Sequence, residues 1–151
     1  MRKKFFFNCF RFALYKSNLK NCLYSLIKKY LKLLKEFPRT EWKGPLGANL
    51  ASNNRCWIIT YLPKGEFLFS VSARERKALG QYPYMFFRID NRIVGGKWVE
   101  TTEWKYYNFH SKLEKGKHKI SLAFINDYYD PKAGKDRNLY VGELEIFKVI
   151  E

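Results

Sequence analysis

The spacing of hydrophobic residues changes near Pro38. Between Leu19 and Leu34, apolar residues recur every three or four positions and lysines occupy most of the positions between them. This pattern predicts a basic amphipathic helix. It ends at Phe37 and Pro38, because proline cannot continue a helix. Beyond this point, apolar and aromatic residues occur in short runs, which predicts β-strands.

The second part of the chain is predicted to consist of short strands. Turn residues separate several of them, at Pro63-Lys64-Gly65, Gly95-Gly96 and Lys115-Gly116. The predicted strands are Cys56–Tyr61, Glu66–Ala73, Tyr84–Asp90, Trp104–Phe109, Lys119–Ile125 and Leu139–Val149. Because no helical pattern intervenes, the sequence predicts an all-β fold, an antiparallel β-sandwich preceded by the N-terminal helix.

The same patterns predict how the chain is divided. In the run Glu66–Ala73, apolar residues at odd positions alternate with Ser70 and Ser72, which predicts a sheet with one covered face. Residues 38–54 are rich in Pro, Gly, Asn and Ser, and this composition predicts a linker that leads into an irregular edge. We therefore predict a helical segment at residues 1–38 and a β-sandwich domain at residues 39–151.

Positive charge is concentrated in the N-terminal segment. The formal net charge is +15, and residues 1–39 hold eleven Lys and Arg against a single acid. A basic amphipathic helix of this kind binds an anionic membrane surface, docks into a partner protein, or packs on the chain's own sandwich or on a second copy. The pattern does not choose among these alternatives.

The N-terminus also bears on localisation. Asn8 and Arg11 interrupt the apolar run that begins at Phe5, and no small-residue cleavage site follows. We therefore predict neither a cleavable signal peptide nor a transmembrane helix. Peripheral attachment to a membrane is consistent with the basic helix, but the sequence does not identify the compartment.

Composition excludes several functional classes. A hydrophobic content of 46% excludes a mainly disordered chain, and three scattered cysteines exclude a disulfide framework. His110 and His118 have no Ser or Cys nucleophile motif beside them, so we predict that the protein is not an enzyme. A pI near 9.8 makes nucleic-acid binding the main alternative function. The basic excess, however, lies mostly outside the predicted β-domain.

The stretch from Phe124 to Ile146 reverses the charge locally. A predicted strand breaks here into an acidic loop that contains Pro131 and Gly134 and then resumes. Its candidate metal-binding oxygens belong to Asn126, Asp127, Asp130, Asp136 and Asn138. Oxygen ligands without Cys or His favour calcium over zinc. Loops rich in Asp, Pro and Gly are also typical of plain solvated turns, so the spacing alone leaves both interpretations open.

A family resemblance adds to this interpretation. The order of strand, Asn126-Asp127, polar loop, Asp136-Arg137-Asn138-Leu139 and strand resembles the C-terminal signature of the calcium-dependent xylan-binding carbohydrate-binding modules. The resemblance covers about residues 40–151. Other stretches also resemble successive strands of this module, namely Tyr82–Met85, Arg88–Asn91, Trp104–Phe109 and Leu113–Ile120.

The resemblance implies a specific function. A jelly-roll β-sandwich would hold calcium in the loop, and the ion would coordinate vicinal hydroxyls of a polysaccharide such as xylan. Matched position by position, Asp127 and Asp136 would be the carboxylate ligands, and loop carbonyls would complete the protein's share. The candidate ligand-binding residues in and beside the loop are Tyr128, Tyr129, Arg137, Asn138 and Tyr140. The three tyrosines are included because the C–H faces of sugars lie well against aromatic rings.

The chain departs from the family pattern at two places. The family commonly has an acidic residue shortly after the Asp-Arg-Asn-Leu run, where this chain has Val141 and Gly142. It also has acidic residues in its first strand, where this chain offers only Glu41. These positions serve a second, structural calcium, so the sequence leaves that ion open. A structural or interaction protein that has lost sugar binding is the other alternative to a sugar-binding function.

Overall fold

The computed structural model of the protein describes residues 31–33, 42–45 and 48–150. The chain divides into two compact units, Leu33–Lys148 and the combination of Met1–Lys32 with Val149–Glu151. The strands of the described residues are β1 (Leu31–Leu33), β2 (Asn49–Leu50), β3 (Asn54–Leu62), β4 (Gly65–Arg76), β5 (Tyr84–Ile89), β6 (Arg92–Trp98), β7 (Lys105–Leu113), β8 (Gly116–Phe124), β9 (Tyr128–Asp130) and β10 (Lys135–Val149). In the described ranges, no helix is long and apolar enough to cross a membrane.

Strand β1 falls on the end of the predicted N-terminal helix. Leu31–Leu33 is extended, so the helix prediction is wrong for these three residues. Their order of apolar, basic and apolar residues fits a strand period of two as well as a helix, and local spacing does not separate the two. The rest of the predicted helix lies outside the described residues, and the predicted boundary after Pro38 stays a prediction.

Two antiparallel sheets form the unit Leu33–Lys148. One has the order β10-β4-β7, with β2 and β9 also paired to β10, and the other has the order β3-β8-β5-β6. The Phe87 ring of β5 stacks on Phe109 of β7 with 4.5 Å between ring centroids, and it lies 5.3 Å from Phe69 of β4. These contacts join the inner faces of the two sheets. The predicted antiparallel β-sandwich is therefore confirmed.

Strand β4 is buried on both faces. Phe67, Phe69 and Val71 belong to the core between the sheets, as their alternation predicts. Ser70 and Ser72 point the other way and are also buried, so the prediction of one covered face is wrong for this strand. Burial of the Ser72 hydroxyl is tolerated because its Oγ accepts a hydrogen bond of 2.8 Å from the Glu143 amide.

Two predicted turns have different outcomes. Pro63 and Lys64 connect β3 to β4, as predicted, whereas Gly95 and Gly96 lie inside β6. A Cβ atom at Gly96 would come 2.1 Å from the Tyr84 hydroxyl oxygen, so this position needs glycine to make room for a ring rather than to turn the chain. The turn between β5 and β6 instead has φ values of +50° and +69° at Asp90 and Asn91.

The predicted linker is part of the sandwich where it is described. Trp42 and Leu50 are buried in the core cluster. Lys43 exchanges two backbone hydrogen bonds of 2.8 Å with Trp57 of β3. The linker prediction is therefore wrong for these residues. In the described part of this segment, the buried side chains of Trp42 and Leu50 hold an irregular backbone against the core.

Candidate functional site

The acidic stretch forms a β-hairpin rather than an irregular loop. Strand β9 pairs with the beginning of β10, with Asp130 opposite Lys135 and Tyr128 opposite Arg137. Part of the backbone that the sequence left unpaired is therefore engaged in a ladder. The sequence misses β9 because three residues are too few for a recognisable alternation.

Asp130 stabilises the tip of this hairpin. Its Oδ1 accepts hydrogen bonds of 3.0 and 3.1 Å from the amides of Lys132 and Ala133. An Asp at the start of a turn commonly makes such contacts. Gly134 completes the turn with a φ of +61°. These contacts favour the turn interpretation for Asp130, and its predicted role as a metal ligand has no supporting contact.

The carboxyl groups of Asp127 and Asp136 lie close enough to repel one another. Burial raises the pKa of Asp127, and the negative charge of Asp136 raises it further. A hydrogen bond from the Tyr128 amide and the positive charge of Arg137 act in the opposite direction, but the pKa of Asp127 is still raised overall. The structure therefore brings together the two acids that the family resemblance pairs.

Two buried oxygens beside this pair lack hydrogen-bond donors. They are Oδ1 of Asp127 and Oδ1 of Asn138. The other side-chain atom of Asn138, Nδ2, donates a hydrogen bond of 2.7 Å to Oδ2 of Asp136. A buried acceptor without a donor is costly, unless a cation occupies the space in front of it. Oxygens of Asp127, Asp136 and Asn138 thus form a donor set that fits a hard cation.

The composition of this donor set favours calcium. Among the described ranges, no group of three or more His, Cys, Asp and Glu side chains could hold a metal ion. The set instead combines two carboxylates with one amide oxygen, and it contains no soft ligand. Calcium accepts amide, carbonyl and water oxygens together with carboxylates, whereas zinc prefers His and Cys.

Asn126 anchors the hairpin to the neighbouring chain segment. Its Oδ1 accepts a hydrogen bond of 2.7 Å from the Tyr84 amide, and its Nδ2 donates one of 2.9 Å to the Tyr82 carbonyl. Both ends of the side-chain amide therefore hold the start of β5. The predicted role of Asn126 as a metal ligand has no supporting contact.

Arg137 is a buried anchor of the same kind. Its guanidinium donates hydrogen bonds to the carbonyl oxygens of Ala78, Gln81 and Asn126, at 2.8, 3.2 and 2.5 Å. The side chain is 4% exposed. This environment gives Arg137 a structural role beneath the hairpin, and contact with a ligand remains only a prediction from sequence.

The three candidate tyrosines differ in exposure. Tyr129 is 67% exposed and lies opposite Asp136 in the β9-β10 pair. Tyr128 is partly buried, and its ring centroid lies 6.0 Å from the Arg137 guanidinium carbon. Tyr140 is also partly buried, beneath the Arg74 guanidinium at 4.5 Å. Tyr129 is thus the most accessible of the three rings.

Two residues near the site were not identified from sequence. Oδ1 of Asn53 accepts a hydrogen bond of 2.7 Å from the Asp127 amide and so fixes the backbone of that residue. Arg76 lies opposite Asn138 on β4, with Nη1 3.5 Å from Oδ2 of Asp136. The polar cluster before β3 was the only local signal for Asn53. Arg76 is brought in by strand register alone.

Gly142 lies where the family resemblance implies an acidic residue. Gly142 carries no side-chain ligand, and its carbonyl oxygen accepts a hydrogen bond of 2.7 Å from Trp42 Nε1. A Cβ atom at this glycine would lie 3.0 Å from the Trp104 ring and 2.3 Å from the Ser72 hydroxyl oxygen. An acidic side chain would therefore displace Trp104 or Ser72.

Two solved structures that share this fold with a TM-score of 0.50 or more are named as carbohydrate-binding modules, and a third module aligns slightly less well. The CBM36-1 domain of a multidomain xylanase from the hindgut metagenome of Trinervitermes trinervoides aligns with a TM-score of 0.51 and 12% identity, over 80% of this chain and 97% of that chain. A family 35 module from Clostridium thermocellum aligns with a TM-score of 0.50 and 14% identity, over 80% and 89%. A CBM36 module in complex with calcium and xylotriose aligns with a TM-score of 0.49 and 16% identity, over 77% and 98%.

Comparisons of sequence point the same way. A search of the curated proteins finds no match to the chain. The family model CBM60, described as a Ca-dependent, xylan-binding carbohydrate-binding module, matches residues 68–150. This match spans more than half of the chain, and it includes most of β4, the acidic hairpin and β10. The chain therefore belongs to the family of calcium-dependent, xylan-binding carbohydrate-binding modules.

Proposed function

We propose that this protein binds a xylan-type polysaccharide without catalysis, through a calcium ion held by Asp127, Asp136 and Asn138. The observation that carries the proposal is that two buried oxygens near Asp136, Asp127 Oδ1 and Asn138 Oδ1, have no hydrogen-bond donor. A bound cation would satisfy both oxygens and remove the repulsion between the two carboxylates.

Each residue of the site has a separate task in this proposal. Asp127 and Asp136 supply the negative charge, and the Asn138 amide orients Asp136 through its Nδ2 hydrogen bond. Asn53 fixes the backbone of Asp127, while Asp130 builds the turn that returns the chain to Asp136. The site is therefore preorganised by contacts that do not involve the ligand.

Sugar recognition follows from the small number of protein ligands. Calcium takes six to eight oxygens, so three side chains leave positions that adjacent hydroxyls of a sugar can fill in place of water. When bound, the ion would supply the charge that orients these hydroxyls. The exposed ring of Tyr129 lies on the same hairpin and is available to stack on the sugar.

The proposed absence of catalysis agrees with the position of His118. Its Nδ1 lies 2.6 Å from Oδ2 of Asp90, and its Nε2 lies 2.9 Å from the Glu114 carbonyl oxygen. Both ring nitrogens are engaged, and the side chain is largely buried in the sandwich. The pair therefore serves the fold, rather than acting as a proton shuttle at an open site.

Calorimetry of the metal-stripped full-length protein tests this function. Calcium should bind, and xylo-oligosaccharides should then bind only in its presence. Asp127→Asn should weaken calcium binding at least about tenfold, since one charged ligand is lost. Glu114→Gln removes the same charge from an exposed pair with Lys64 and should leave both affinities unchanged. Sugar binding that survives chelation would contradict the proposed function.

We also propose that the basic N-terminal segment attaches the module to an anionic membrane surface or to a partner protein. The charge of residues 1–39 supports this proposal, because each Lys or Arg near an anionic surface contributes about 1 kcal/mol. Full-length protein should sediment with vesicles that contain anionic lipid and should be released as salt rises. Equal sedimentation with neutral vesicles would contradict the electrostatic attachment.

Nucleic-acid binding is the second candidate function, and one surface favours it. The outer face of the β3-β8 pair combines Lys117 and Lys119 with the exposed ring of Tyr61, and the Lys119 ammonium lies 4.5 Å from the Trp57 ring centroid. Cations interleaved with rings can bind phosphates and stack bases. A gel-shift assay with single-stranded oligonucleotides would detect this activity, and binding should weaken steeply as salt rises.

A further inference from the structure

A strip of polar and aromatic side chains leads from the proposed calcium site along one side of the β10-β4 pair. Asn138 lies opposite Arg76 in the ladder, and Tyr140 lies opposite Arg74. Alternate residues of a strand share one side, so Asp136, Asn138 and Tyr140 form a row. At a rise of about 3.3 Å per residue, Tyr140 lies about 13 Å from Asp136 along the strand.

Arg74 is held between two rings at the far end of this strip. Its guanidinium carbon lies 4.5 Å from the Tyr140 ring centroid and 5.2 Å from that of Trp104. Among the described residues, the Arg74 side chain makes no ion pair and no hydrogen bond, and its Nε is buried without a partner. The two rings orient the guanidinium, and its N–H donors are not used within the described residues. Such a group is well suited to bind a carboxylate.

Trp104 provides a flat surface beside this guanidinium. Its side chain is 53% exposed, and the ring rests on Gly142 in the irregular part of β10. Because a Cβ atom at position 142 would lie 3.0 Å from the ring, the glycine is what allows the indole to rest there. An exposed indole supported on its other side is a stacking platform for a sugar ring.

We propose that Arg74 and Trp104 form a second sugar subsite, which takes a uronic-acid residue of the same polysaccharide chain. The Arg74 guanidinium binds the sugar carboxylate, and the Trp104 indole stacks on the pyranose ring. This inference rests on the proposed function, since the first subsite is the calcium site at Asp127 and Asp136. It narrows the ligand class from neutral xylan to xylan that carries acidic substituents.

Calorimetry tests this subsite in the calcium-loaded full-length protein. Two xylo-oligosaccharides of equal length are compared, one neutral and one bearing a uronic-acid substituent. The acidic ligand should bind about tenfold more tightly, as expected for one charge-assisted hydrogen-bonded pair. Arg74→Gln should reduce the ratio of the two affinities to about one. Trp104→Ala should also lower the affinity for the acidic ligand.

Arg92→Gln is the matched control. It removes the same charge from β6 in the other sheet, so it should retain the preference for the acidic ligand. This inference would be overturned if Arg74→Gln kept the preference for the acidic ligand, or if the wild type bound both ligands equally well. In either case, calcium-dependent binding of the neutral ligand would leave the proposed function intact. If neither ligand binds in a calcium-dependent way, both proposals fail. Thermal melts of each variant establish that an altered affinity is not caused by unfolding.

Discussion

The guanidinium of Arg137 donates a hydrogen bond of 2.5 Å to the carbonyl oxygen of Asn126, and so joins the two ends of the acidic hairpin. The same guanidinium holds the Ala78 and Gln81 carbonyls of the neighbouring turn. Asp127 follows Asn126 in the chain and Asp136 precedes Arg137. The buried Arg137 guanidinium therefore sets the position of both aspartates.

Replacement of Arg137 should destabilise the protein strongly. Arg137→Gln leaves buried carbonyl oxygens without a donor, and we expect a loss of about 3 kcal/mol in the free energy of unfolding. Urea denaturation at neutral pH measures this loss. Arg76→Gln serves as the control, because Arg76 is an exposed arginine whose replacement should change stability by less than about 0.5 kcal/mol. Equal effects of the two variants would contradict the anchoring role.

Asp127→Asn should have opposite effects on stability without and with calcium. The pKa of Asp127 is raised by burial and by Asp136, so its ionised form destabilises the metal-free fold at neutral pH. The metal-free variant should therefore melt at or above the temperature of the wild type. At calcium concentrations about 100 times Kd, the wild type gains about 2.7 kcal/mol and should become the more stable of the two. Melting curves with chelator and with calcium test this reversal, and parallel shifts of both proteins would contradict it.

The pair of His118 and Asp90 should make stability depend on pH. Burial alone would lower the pKa of His118, but hydrogen bonds with Asp90 and the Glu114 carbonyl raise it overall. Burial alone would raise the pKa of Asp90, but hydrogen bonds from His118 and the Lys119 amide lower it overall. The pair therefore contributes fully between the ordinary pKa values of 3.8 and 6.5.

Stability from this pair should be lost on both sides of that range. It disappears as the pH falls through the lowered pKa of Asp90, and as the pH rises through the raised pKa of His118. The difference in Tm between the wild type and Asp90→Asn should be largest near about pH 5 and smaller at about pH 8. Asn tolerates the positive φ at this turn, so the variant isolates the charge. A difference that does not vary with pH would refute this account.

Replacement of Leu79 should stabilise the protein. Leu79 has a φ of +53° and a largely exposed side chain, in a turn closed by the bridge between Ala78 and Gln81. The left-handed conformation costs a residue of this type about 1 kcal/mol, and Asn tolerates it better. Leu79→Asn should therefore raise the free energy of unfolding by up to about 1 kcal/mol in urea denaturation. Leu79→Ala keeps the strain and is the control; an equal gain for both variants would show that backbone strain is not the cause.

Features encoded by neighbouring residues were predictable from the sequence. Alternation within short runs located strands such as β4 and β5, because a period of two is a local property. The Asn126-Asp127 and Asp136-Arg137-Asn138-Leu139 signature identified the family and the stretch that carries the candidate site. These inferences need no knowledge of which strands pair.

Features that depend on contacts between distant residues appeared only in the structure. Gly95 and Gly96 looked like a turn, but the rings of Phe109 and Tyr84 require them inside a strand. The resemblance had paired Asp127 with Asp136, but only the hairpin showed that Asp130 caps the turn and that Asp127 Oδ1 is buried without a hydrogen-bond donor.

The two proposed subsites also differ in whether local sequence or tertiary contacts revealed them. Composition alone determined that oxygen ligands, and hence a hard cation, suit the acidic stretch. Register across β4 and β10 placed Arg74 against Tyr140, and the missing side chain of Gly142 let Trp104 rest beside them. Local sequence determines which groups are present and how the strands alternate. Only tertiary packing decides which of those groups meet, because the partners are far apart in the chain and are brought together by strand pairing.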